Sequence, residues 1–102
     1  MSASTVLIVD DERTLARAVK AFLIEAGYEA EVAGDAEQAL GMLETLRPDV
    51  VFSDMRLPGM DGVEFLEHIR AKGDRTPVIV VSGAPDKGGV VRATNCDRVE
   101  FF

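Results

Sequence analysis

The sequence predicts an α/β fold, a doubly wound parallel sheet with helices on both faces, and three observations carry that prediction. "TVLIVD" (residues 5 to 10), "DVVFSD" (49 to 54) and "TPVIVVSG" (76 to 83) are apolar runs of strand length, the pattern of strands buried on both faces. Between them the apolar positions recur at three- and four-residue spacing, the period of a helix. Strands alternating with helices at this spacing imply parallel pairing through right-handed crossovers, with the ligand site at the carboxyl ends of the strands.

The elements follow in order. After the first strand, Leu15, Ala18, Val19, Phe22, Leu23 and Ala26 mark the apolar side of a helix from Glu12 to Ala26, and Gly27 stands where a left-handed cap is wanted. "YEAEVAG" (28 to 34) is a shorter, more polar strand. The next helix runs from about Ala36 to Leu46 on Ala36, Ala39, Leu40, Leu43 and Leu46; Asp35 with Gln38 three residues on fits a capping box. "RPD" (47 to 49) ends it, because the residue before a proline avoids helical geometry. After the third strand, "DGVEFLEHIRAKG" (61 to 73) reads as a helix with Val63, Leu66 and Ile69 inward. Beyond the fourth strand, "APDKGGVVRATNCD" (84 to 97) starts like a helix at Pro85 and Asp86. Gly88 and Gly89 each cost it about 1 kcal/mol against alanine, so it reads as short. "RVEFF" (98 to 102) closes the sheet as a fifth strand.

The 102 residues suffice for one domain with one core, and 47% hydrophobic with 28% charged residues is the balance of a soluble globular chain. A formal net charge of -7 argues against a nucleic-acid grip, which needs clustered lysine and arginine. The single cysteine, Cys96, has no partner for an internal disulfide. No apolar run approaches the ~20 residues of a membrane span, and the opening "MSASTVLIVDDE" lacks the charge and apolar core of a secretion signal. A cytoplasmic chain is expected.

The strand ends carry the chemistry. They read Asp10-Asp11-Glu12 after the first strand, Asp54 after the third and Ser82-Gly83 after the fourth. Carboxylates gathered at one edge repel one another, and a bound cation relieves that; oxygen ligands select a hard ion, for which magnesium is suited. Beside such a cation a carboxylate can act as a nucleophile toward phosphorus. Asp54, on the central strand, is the candidate, with Asp10 and Asp11 left to hold the ion. Ser82 can donate a hydrogen bond to a phosphoryl oxygen, and Gly83 leaves the group room to approach. Taken singly, Asp10 and Asp11 read more simply as helix caps, Asp54 as the start of an Asx turn and Ser82 as a turn hydroxyl. Independent capping would not gather all four at one edge. His68, the charges of "DERTLARAVK" and Met42, Met55 and Met60 read as surface, packing or loop residues.

"VLIVDDE", "VFSDMRLPGMDG" and "PVIVVSG", in this order and spacing, resemble the receiver domain of bacterial two-component response regulators over almost the whole chain. The resemblance implies a flavodoxin-like, CheY-like five-stranded sheet of order 2-1-3-4-5. It also implies phosphorylation on aspartate by a sensor histidine kinase or phosphotransfer protein, and dependence on Mg2+, with Mn2+ an acceptable substitute. By position it makes Asp54 the phospho-acceptor and Asp10, Asp11, Asp54 and the backbone carbonyl of Arg56 the metal shell. Ser82 becomes the switch hydroxyl and Phe101 the switch aromatic, while Met55, Arg56 and Ala84 tune the lifetime of the phosphorylated state. Such a domain is a signalling switch rather than an enzyme, supporting its own Mg-dependent phosphoryl transfer and slow autodephosphorylation.

The family also has a lysine after the fifth strand, expected near position 104, and a fifth helix. Domain 1 to 102 therefore reads as a receiver incomplete at its C-terminus, with Lys72 and Lys87 poor substitutes for that lysine. The face of the sheet around "TVLIVD" and "VEFF" is expected to be apolar and open, either because the sequence is cut from a longer regulator, the preferred reading, or because a short chain covers it by homodimerisation or segment exchange. Among other functions, a nucleotide or flavin module would want a glycine-rich loop where "DDER" stands. A phosphatase with an aspartyl nucleophile would carry a second acid at Arg56. The alternative that stands is a receiver-like interaction or dimerisation module without regulated phosphotransfer.

Overall fold

The computed structural model describes residues 4–54, 56–57, 59–81 and 99–101. Five strands, β1 (Thr5–Val9), β2 (Glu29–Ala33), β3 (Val50–Asp54), β4 (Val78–Val81) and β5 (Val99–Phe101), form one parallel sheet in the order β2-β1-β3-β4-β5. This is the predicted topology. Among the described residues three helices, α1 (Arg13–Glu25), α2 (Ala36–Leu46) and α3 (Gly62–Ala71), join consecutive strands. The helix read from Pro85 lies outside the described residues.

The register explains why the strands are apolar on both sides. Leu7 pairs with Val51 and Val51 with Val78, and the same alternation carries Val9 and Val80 toward α2 and α3. There they join Phe65, Leu66, Ile69, Ala39 and Leu43 in the larger core cluster. Val6 and Ile8 face the other way and pack with Ala16, Leu23 and Ala30. Each fully buried valine, leucine or phenylalanine contributes about 1.5 to 3 kcal/mol, so the sheet is anchored mainly through its α2–α3 face.

The helix ends are set by local chemistry. Asp35 caps α2 by accepting from the Gln38 backbone N–H at 2.7 Å, while Gln38 Oε1 accepts from the Gly34 N–H at 2.9 Å. The reciprocal arm of the predicted capping box thus lands one residue upstream of the cap. Arg47, held before Pro48, takes the left-handed conformation with φ 48° and closes α2 onto the Leu43 carbonyl. Asp61 caps α3 by accepting from Glu64 N–H at 2.8 Å, and α3 buries Phe65 in addition to the expected Val63, Leu66 and Ile69.

In α1 the expected inward set is corrected. Only Ala16 and Leu23 are buried, and Val19 is half-buried; Leu15 is 51% and Phe22 69% exposed, with Ala18 and Ala26 also exposed. The helix lies over β1 and β2, and residues seven apart form the stripe that meets the sheet. Leu15 and Phe22, themselves seven apart, form a neighbouring stripe turned about 100° away from it. Phe52 and Val50 on the same side of the sheet are half-buried, whereas Val6 and Ile8 of "TVLIVD" are buried, so β1 is not the open apolar surface expected there; the side chains of "VEFF" lie outside the described residues.

Candidate functional site

β1 and β3 are neighbours, with Val9 opposite Ser53, so the residues that follow, Asp10 and Asp54, emerge side by side at the carboxyl edge. Asp10 N–H still bonds to the Ala33 carbonyl at 3.1 Å, holding it against β2. Its Oδ1 accepts from Glu12 N–H at 2.9 Å, an Asx turn that bends the chain out of the sheet. α1 then starts with Glu12 at the N-cap, whose side chain makes no capping bond. Neither aspartate therefore caps α1, and the simpler reading of the pair accounts for one turn hydrogen bond from Asp10 and nothing for Asp11.

One carboxylate oxygen from each of Asp10, Asp11 and Asp54 lies within 4.8 Å of the others; Asp10 and Asp54 are half-buried and Asp11 is exposed. Two carboxylates so close repel by about 3 kcal/mol at an effective dielectric near 20, and a divalent cation among them would turn that cost into attraction. Three oxygen donors with solvent on one side suit magnesium, which keeps several waters and prefers few carboxylates. The turn reading of Asp54 is only weakly met: the Arg56 N–H lies 3.4 Å from Asp54 Oδ1, at the long limit of a hydrogen bond.

Arg56 is exposed in the loop leading from β3. Ser82, Gly83, Met55, Ala84 and Lys87 lie outside the described residues. Phe101 belongs to β5, where its backbone stands opposite Val80, one register position from the Asp54–Val81 pair. Lys72 follows α3 at the far edge of the sheet, 3.9 Å from Glu44, and does not reach the acids. His68 is exposed and Met42 and Met60 pack against the core, as expected.

Ser53 was missed by the sequence reading. It is fully buried, and its hydroxyl donates to the Asp54 carbonyl at 3.0 Å. The signal was visible as one polar residue inside an apolar run, directly before the acid.

A five-stranded parallel sheet of order 2-1-3-4-5 with carboxylates at its carboxyl edge defines the CheY-like class of α/β proteins. Among solved structures, a response regulator receiver protein from Pseudomonas putida superposes with a TM-score of 0.92 at 29% identity, covering 100% of this chain and 86% of that one. The chemotaxis protein CheY4 of Vibrio cholerae gives 0.89 at 28% identity, covering 99% and 86%. Regulatory protein AtoC of Escherichia coli (strain K12) is 33% identical over 96 residues, which are 94% of this chain and 21% of that protein. Regulator of RpoS from the same organism is 34% identical over 88 residues, 86% of this chain and 26% of that protein. This chain thus spans about a fifth to a quarter of the length of these curated relatives. The profile of the family described as "Response regulator receiver domain" matches residues 6–102, and the chain belongs to that family. It is a receiver domain of two-component signalling, a signalling switch rather than a typical enzyme. No helix among the described residues is long and apolar enough to cross a membrane.

Proposed function

We propose that Asp54 is the residue that accepts the phosphoryl group, from a phosphohistidine of a sensor kinase or phosphotransfer protein, in a cytoplasmic signalling chain. The observation that carries this is the meeting of Asp10, Asp11 and Asp54 within 4.8 Å at one strand edge. In this reading Asp10, Asp11, Asp54 and the Arg56 carbonyl hold the cation, Mg2+ or Mn2+. When bound, the ion neutralises charge on the transferring phosphoryl group.

An Asp54 carboxylate oxygen forms the new bond to phosphorus as the bond to the donor's imidazole nitrogen breaks; the electron pair returns to that nitrogen, which takes a proton from solvent. Water attack on the aspartyl phosphate then releases inorganic phosphate and restores the carboxylate, the slow autodephosphorylation that the family resemblance implies. Ser82 would follow the phosphoryl oxygens and pass the change to Phe101 on β5, with Met55, Arg56 and Ala84 setting the lifetime. Intact-mass measurement after incubation with Mg2+ and acetyl phosphate tests this: the expected result is one phosphoryl adduct, lost in Asp54→Asn and in excess chelator. An adduct that survives Asp54→Asn would sink the assignment.

Association of two copies through the α1 side of the sheet is the finer part of this reading, supported by the exposure of Leu15 and Phe22. Sedimentation velocity across a concentration series should show dimer at the high end, and a single monomer boundary throughout would remove this part.

A further inference from the structure

We infer that Ser53 is a positioning residue for the acidic site, setting the direction in which the chain leaves β3 and thereby where the Asp54 carboxylate stands relative to Asp10 and Asp11. Among the described residues Ser53 is the one buried polar or charged residue. Its neighbours along the sheet are Val9 and Val80, and the core on its side is otherwise apolar. A buried hydroxyl there costs free energy unless it is hydrogen-bonded, and packing alone would favour valine or alanine.

The bond that offsets this cost goes to the carbonyl of Asp54 itself, at 3.0 Å. In a regular strand the side chain of one residue stands away from the carbonyl of the next, since successive residues alternate across the sheet. Asp54 is nevertheless still in β3, opposite Val81, so the contact marks the end of the strand, the point from which the chain leaves the sheet. From that point two things extend: the Asp54 carboxylate, and the loop whose Arg56 N–H points back to Asp54 Oδ1 at 3.4 Å. Of these two contacts the Ser53 hydroxyl bond is the shorter. Asp10, by comparison, is fixed by the Ala33 carbonyl and its own Asx turn. Ser53 supplies on the β3 side what those bonds supply on the β1 side. Groups one step behind a metal ligand tune affinity by orienting it.

The inference uses the cation site but not the phosphotransfer assigned to it, and the two can fail separately. Three chains are compared: the parent, Ser53→Ala and Ser53→Thr, the last retaining a hydroxyl. Without metal, carbon NMR should show the Asp54 carbonyl resonance moving upfield in Ser53→Ala and back toward the parent value in Ser53→Thr. Mg2+ affinity by calorimetry should fall about threefold to tenfold in Ser53→Ala and recover in Ser53→Thr, while the metal-free thermal midpoint of Ser53→Ala drops by no more than the loss of one hydrogen bond accounts for. This pattern supports the positioning role even if the parent takes up no phosphoryl group, a result that would count against the proposed function alone. An unmoved Asp54 resonance with unchanged Mg2+ affinity in Ser53→Ala overturns the inference, whatever the phosphorylation result.

Discussion

At the scale of single residues, the site is a compromise between repulsion and use. Asp10, Asp11 and Asp54 stand close enough to oppose one another, so the metal-free chain should be stabilised by removing one charge while keeping its shape. Asp10→Asn does this, because an amide oxygen can still accept from Glu12 N–H and preserve the turn. Its metal-free thermal midpoint should exceed the parent's, and added Mg2+ should raise the parent's midpoint but hardly move the variant's. Ligand linkage converts a lost affinity into a lost shift, and differential scanning calorimetry with and without chelator reads both. Asp35→Ala removes the cap of α2 and should cost about 1 kcal/mol in urea unfolding, with Mg2+ affinity unchanged.

At the scale of elements, strands and helix caps were legible in the sequence and helix faces less so. Apolar runs ending in acid located β1 and β3, one ending in Ser-Gly located β4, and Asp35 and Pro48 bracketed α2, because these signals act through the local backbone. The face α1 turns inward depends on which strands it lies over. The choice between the Leu15–Phe22 stripe and the Ala16–Leu23 stripe is made by tertiary packing, and the spacing rule suits both. The same limit applies to Ser53, whose role depends on the carbonyl of the residue at which β3 ends. Urea unfolding can separate the two stripes: Leu23→Ala should cost about 2 to 5 kcal/mol, as buried leucines do, while Phe22→Ala should stay within about 0.5 kcal/mol in the isolated chain. A large loss from Phe22→Ala that grows with protein concentration would instead show that this stripe is covered by a second copy.

At the scale of the whole molecule, charge is the dominant feature outside the core. The net charge of -7 arises from 18 acidic against 11 basic residues. Much of the excess acid sits at the edge where Asp10, Asp11, Glu12, Asp35, Asp54 and Asp61 follow strands or precede helices. Self-repulsion of this kind is screened by salt over about 10 Å at 0.1 M, so the metal-free midpoint should climb from low salt to about 0.2 M sodium chloride. With Mg2+ bound, that salt dependence should shrink.

The pairing of β1 with β3 has a further bearing on how the chain breathes. Asp10 and Asp54 come from distant stretches of sequence and meet only while those two central strands are zipped together. A cation held between them would tax each opening that parts the strands and leave untouched the fraying that does not. Amide exchange recorded with and without Mg2+ should therefore divide the protein, slowing at Leu7 to Val9 and Val51 to Ser53 while the outer turns of α1 exchange at their former rate.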